Sequence, residues 1–115
     1  MTDFESKQQR EQARQIASLQ RRTDWESRFA RVMADQDARI VLHEFMRQCG
    51  LDGSAFNTNA MAQSHAIGRQ DAARWWLNEI RRICPEVEAK VRSDGQQWQN
   101  VMAQAKATGE QGNAH

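Results

Sequence analysis

The chain has 115 residues, 39% of them hydrophobic, with four tryptophans and four phenylalanines; that suffices for one modest core but not for two domains, and it is too aromatic for a chain without structure. Sixteen basic against fifteen acidic side chains leave a formal charge of +1, which excludes a long-range field steering the chain to nucleic acid or to an anionic membrane. Residues 1–10 are too polar for a secretory signal, no window approaches the ~18 apolar residues of a membrane span, and two cysteines make no disulfide framework, so a chain dissolved in a reducing compartment is expected.

Residues 2–22 are dominated by Gln, Arg and Glu, with Ala13, Ile16, Ala17 and Leu19 as their apolar cluster. So thin a stripe does not stabilise a helix alone. Residues 1–22 therefore read as a polar arm, either mobile or helical when a partner orders it. Asp24 is placed to cap a short helix in which Trp25, Phe29, Val32 and Met33 share the face turned to the core. Asp35 and Asp37 offer a second cap, before an arc of Ala38, Val41, Leu42, Phe45, Met46 and Cys49 that stops at Gly50, the residue suited to a left-handed helix end. Whether residues 24–49 bend at Asp35 or run straight stays open. In the loop that follows, Leu51 and Phe56 are available to pin it to the core.

Residues 59–84 carry the longest helical pattern. Ala62, Ala66, Ala72, Ala73, Trp76, Leu77, Ile80, Ile83 and Cys84 share one face, interrupted by Arg69, and Gln63, Gln70, Asp71, Arg74, Asn78, Glu79, Arg81 and Arg82 lie opposite in what reads as a solvated surface. Gly68 in mid-helix costs stability, which close approach of a neighbouring helix would explain. Pro85 ends the helix and opens the next. There Val87, Val91, Trp98, Val101, Met102 and Ala105 keep one phase across Ser93, Asp94 and Gly95, so residues 85–106 form either one helix with a weak point or two. The expected fold is all-α: three to four helices over residues 23–106, with an extended or helical N-terminal arm and a disordered C-terminal tail over 107–115.

Chemistry-bearing residues do not converge in the sequence. Cys49, Cys84, His43 and His65 have neither C-x-x-C nor H-x-x-x-H spacing, so no metal or cofactor is expected, and Cys49 and Cys84 read as small core residues at helix ends. His43 falls on the polar side of its helix and His65 borders the apolar arc of the central one. No Gly-rich phosphate loop or nucleophile elbow accompanies them, so no catalytic residue and no small-molecule substrate are expected. Thirteen of the sixteen cations are arginines, which keeps DNA contact as a secondary reading carried by Arg69, Arg74, Arg81 and Arg82. Ile67 and Trp75 point off the main apolar arc; either they pack beneath a neighbouring element or they form a contact surface for another chain. With Arg74, Arg81 and Arg82 they make the candidate interaction surface.

Cys49-Gly50-Leu51, then Ser54-x-Phe56 and Asn59, then Gly68-Arg69-Gln70-Asp71 leading into Trp76-Leu77-x-x-Ile80, and last Cys84-Pro85-Glu86 together resemble the Bbp-nineteen-like proteins of short-tailed phages and prophages. The resemblance covers residues 32–91. It departs where this chain has Ala38-Arg39-Ile40-Val41 instead of paired basic residues followed by aromatics, and Ile67 instead of an acidic residue before the glycine. It implies a non-enzymatic virion or assembly protein at the head, portal or ejection machinery, present in the host cytoplasm during assembly and in the virion if retained, with other phage structural proteins or itself as partners. It implies structural roles for Phe56, Gly68, Arg69, Trp76 and Pro85, beside Gly50 and Ile80, which read as structural from the helical pattern. The alternative is a small accessory phage protein that binds host machinery or DNA.

Overall fold

The computed structural model describes residues 2–53 and 59–113, and over them the chain forms helices α1 (Asp3–Met33), α2 (Gln36–Gln48), α3 (Ala60–Ile83) and α4 (Glu88–Asn113), with a 3-10 turn at Pro85–Val87 between the last two and no strand. Phe56, expected to pin the loop, lies outside the described residues. The molecule is elongated, 86 × 38 × 21 Å, because α1 and α4 both run beyond the packed body.

The arm and the first core helix are one continuous rod. Thr2 caps it by accepting the Glu5 N–H, and Asp3 and Glu5 sit in the positive first turn. Asp24, expected as a cap, is instead in mid-helix, where it pairs with Arg28 at 2.8 Å. No backbone break therefore falls at residues 22–23; the arm is distinguished only by burial, since residues 7–16 are all exposed while Phe29 and Met33 are 5% and 3% exposed.

The rod does break at Asp35, whose carboxylate accepts the Ala38 N–H at 2.9 Å and starts α2. Gly50 ends α2 at φ 77°, with Leu51 N–H on the Met46 carbonyl and Gly50 N–H on that of Arg47. This is a Schellman closure that a Cβ would strain. Asn59 caps α3 through the Ala62 N–H, and Pro85 begins the turn into α4. Glycine in mid-helix did not split the last segment: α4 passes through Ser93, Asp94 and Gly95 as one helix. It also continues to Asn113, where the composition points to an unstructured tail, although residues 101–109 are all exposed.

The core centres on Ala73 and Ile80 of α3, both fully buried, and on Val91 of α4 at 1% exposure, with Met46, Leu77, Cys84 and Val87 around them. The buried face of α3 is narrower than its apolar pattern. Ala62 and Ala72 are exposed, Trp76 is half-buried at the edge, and Arg69 simply faces solvent. Gln70, assigned by its polarity to the solvated side, is 5% exposed. Its Nε2 donates to the carbonyls of Gly50 (2.8 Å) and Gly53 (2.6 Å), fastening the end of α2 to α3.

The close helix approach expected at Gly68 occurs at Gly95 instead. A Cβ at Gly68 would meet nothing within 4 Å, whereas one at Gly95 would overlap the His43 ring at 2.1 Å. His43 is accordingly not on a solvated face. It is wedged into the α2–α4 crossing with its Nδ1 buried and without a hydrogen-bond partner. Beside it Arg39 donates to Asp94 at 2.7 Å and to the Met33 carbonyl at 3.0 Å, joining α1, α2 and α4 through one side chain that is only 13% exposed. The guanidinium of Arg39 holds the Asp94 carboxyl below its usual range.

Candidate docking surface

The opposite flank of α2 is not closed. Trp25, Phe29, Val32 and Met33 project from α1 at i, i+4, i+7 and i+8, and Ala38, Val41, Leu42 and Phe45 face them from α2. The two helices diverge from the Asp35 turn, and Trp76 of α3 reaches the floor. The result is a groove of about 470 Å³ whose one charged lining residue, Arg28, is paired with Asp24. Its rim is exposed to an unusual degree for apolar side chains: Val41 69%, Val32 52%, Phe45 43% and Trp25 39%.

Trp25, Phe29 and Trp76 line one part of the groove, and Trp75 joins them from outside it. Phe29 stacks on Trp76 at 6.1 Å, Trp25 lies 5.8 Å from Phe29, and Trp75 meets Trp76 edge-on at 4.9 Å and Trp25 at 6.3 Å. Trp25 is fixed by donating its Nε1–H to Glu79 at 2.7 Å. Arg82 grips the same carboxylate with two nitrogens, at 3.1 and 3.0 Å, and reaches Glu26 of α1 at 2.6 Å. Arg82 is the main reason that the Glu79 carboxyl is held below its usual range, with the indole N–H adding to the effect. Trp75 thus does both things open to it in the sequence: it leans on α1 and still leaves half its surface in water.

The residues of the candidate surface are brought together in part. Trp75, Arg82 and the α1 aromatics form one cluster. Ile67 is 41% exposed on the same helix but two turns away, roughly 12 Å at 1.5 Å per residue. Arg74 pairs with Asp71 at 3.4 Å and Arg81 with Glu88, so both cations are engaged within the chain. The groove residues Val32, Val41 and Phe45 were missed as a surface. Their signal was present: the apolar arcs of α1 and α2 are each wider than a single neighbouring helix can cover.

A smaller cavity of about 120 Å³ lies on the closed flank between His43, Arg47, Glu88, Arg92 and Gln99. Two of its charged residues are engaged by neighbours, Arg47 by Glu44 and Glu88 by Arg81. Arg47 binds Glu44 through two nitrogens, and with Gln48 and Gln99 it pulls the Glu44 carboxyl down to about 2. Burial, reinforced by Glu86, raises the Cys84 thiol and keeps it protonated, the opposite of an activated nucleophile. Among the described residues no three of His, Cys, Asp and Glu converge as a metal site, and no helix is long and apolar enough to cross a membrane.

The family model described as Bbp19-like phage protein matches residues 29–89, more than half of the chain. The chain belongs to the Bbp19-like phage protein family. No curated protein and no solved structure matched it. The family segment begins at Phe29, takes in the Asp35 turn, α2, α3 and the Pro85 turn, and ends as α4 begins. It therefore contains most of the groove, while the projecting part of α1 and nearly all of α4 lie outside it.

Proposed function

We propose that this Bbp19-like phage protein is a non-enzymatic virion or assembly component that works at the head, portal or ejection machinery by docking its open apolar flank to other phage proteins or to itself. One observation carries this reading: a groove and an adjoining indole cluster with Val41, Val32 and Trp75 half or more exposed, a continuous apolar surface of the kind that marks an interaction site. Membership of a phage family supports the setting, the host cytoplasm during assembly and the particle thereafter. The protonated Cys84 thiol and the internally paired arginines support a binding role over a reacting one. Mass spectrometry of purified particles and of assembly intermediates tests it, together with mixing against isolated head, portal and ejection proteins. The expected result is stoichiometric presence in one of these; absence from all of them removes it.

A second reading, an accessory protein that binds host machinery or DNA, draws on the projecting part of α1, where Lys7, Arg10 and Arg14 are exposed. Against it stands the engagement of Arg74, Arg81 and Arg82 with Asp71, Glu88, Glu79 and Glu26. DNA affinity that falls steeply with added salt would establish it, and no affinity at low salt would end it.

A further inference from the structure

The open flank has a shape that specifies its own occupant. Where it runs alongside α2 and beyond, α4 carries Trp98, Val101, Met102 and Ala105, all exposed, at the i, i+3, i+4, i+7 spacing with which an amphipathic helix fills an apolar groove. Val41 lines both the groove and the hollow in which Trp98 lies against α2. Ridge and groove are thus neighbours on one surface. A convex half beside a concave half is what a two-fold interface requires, because the rotation places each ridge in the other copy's groove. We propose that a second copy of this chain covers the flank, as a symmetric dimer in which the Trp98–Ala105 ridge of each protomer lies in the α1–α2 groove of the other. The proposal rests on reading this flank as a docking surface and names what docks there.

Charge and area both favour this occupant. From Gly95 to Ala105 the sequence holds no ionisable side chain, its polar positions being Gln96, Gln97, Gln99, Asn100 and Gln104, so the ridge enters an apolar groove without desolvating a charge. The other projecting helical end, residues 3–22, carries ionisable side chains at eight positions, and its uncharged stretch, residues 15–20, offers two large exposed apolar side chains, Ile16 and Leu19, against the three of the α4 ridge. A net charge of +1 per chain sets no repulsion between copies. From the fractional exposures, ridge and groove rim offer on the order of 400 Å² of apolar surface per copy, or about 800 Å² for a pair. That is close to the apolar share, about two-thirds, of a small standard-size homodimer interface of roughly 1,200 Å².

Sedimentation equilibrium of the full chain from about 1 to about 300 μM spans the range in which such an interface assembles and tests the proposal; the expected limit is twice the chain mass of 13.3 kDa. Val41→Glu and Val101→Lys change residues 69% and 50% exposed, so circular dichroism and melting should stay as in the parent. Each variant alone should dimerise on the order of 100-fold more weakly, since each puts a charge into the apolar seam. An equimolar mixture of the two should regain the dimer, because the new Glu and Lys then face each other at one contact while the other contact is unaltered. A monomer throughout, a dimer indifferent to Val41→Glu, or a mixture that fails to re-pair would each overturn the proposal. A monomer that binds head, portal or ejection proteins through a Val41-sensitive contact overturns the second copy and leaves the docking reading standing. A dimer absent from particles and intermediates does the reverse.

Discussion

The two flanks of α2 end in different states. Towards α4, the His43 ring lies against Gly95, Arg39 is bonded to Asp94, and Gln99 donates to Glu44, so backbone approach and polar pairing close the seam together. Towards α1, Val41 and Phe45 face Trp25 and Val32 across a space that no side chain of the described residues fills. Two helices joined by a tight turn diverge, and the gap closes only if a third element enters or the residues at the crossing are small. Gly95 supplies the small residue on one flank, and among the described residues no glycine stands on the other. A closed seam with polar pairs holds the fold, and an open apolar one is free to bind.

The contrast can be broken most severely at Gly95. Gly95→Val should destabilise the fold by about 3 kcal/mol in urea titration, because its Cβ falls 2.1 Å from atoms close to the His43 backbone, which cannot swing away. Gln70→Leu should cost about 2 kcal/mol by the same measurement, since two loop carbonyls lose their donor. Acid should loosen the closed flank first. The Glu44 carboxyl lies at about 2 in the fold against an ordinary value of 4.5, and Asp94 is lowered as well. Their stabilisation is complete above pH 4.5 and is lost as the pH falls towards 2. Thermal melts from pH 7 to pH 3 should fall accordingly, and Glu44→Gln should flatten that decline. Gly68→Ala should give the smallest effect and the opposite sign, a gain of about 0.5–1 kcal/mol, because the position is helical and open. A loss there would show that Gly68 is not the free counterpart of Gly95.

Of the candidate surface, Trp75 was legible as an outlier from the period of α3, but its cluster with Trp25, Phe29 and Trp76 was not, because it joins residues some fifty positions apart. His43 and Gln70 were placed on solvated faces because polarity stands for exposure in a pattern reading. That substitution fails wherever a polar side chain finds a backbone carbonyl or a glycine to lie against.

Local chemistry sufficed for the elements themselves. The 3.6-residue period, the side chain of Asn59, the left-handed Gly50 and the ring of Pro85 each act within one turn of chain, so the helical class, the ends at Gly50, Asn59 and Pro85 and the family follow from the order of residues, while the break at Asp35 and the unbroken α4 do not. Which glycine receives a neighbouring helix, which arginine ties three helices together, and which of two apolar flanks stays open depend on crossing positions between rods. Side chains distant in sequence set those positions jointly, and only the packed structure decides them.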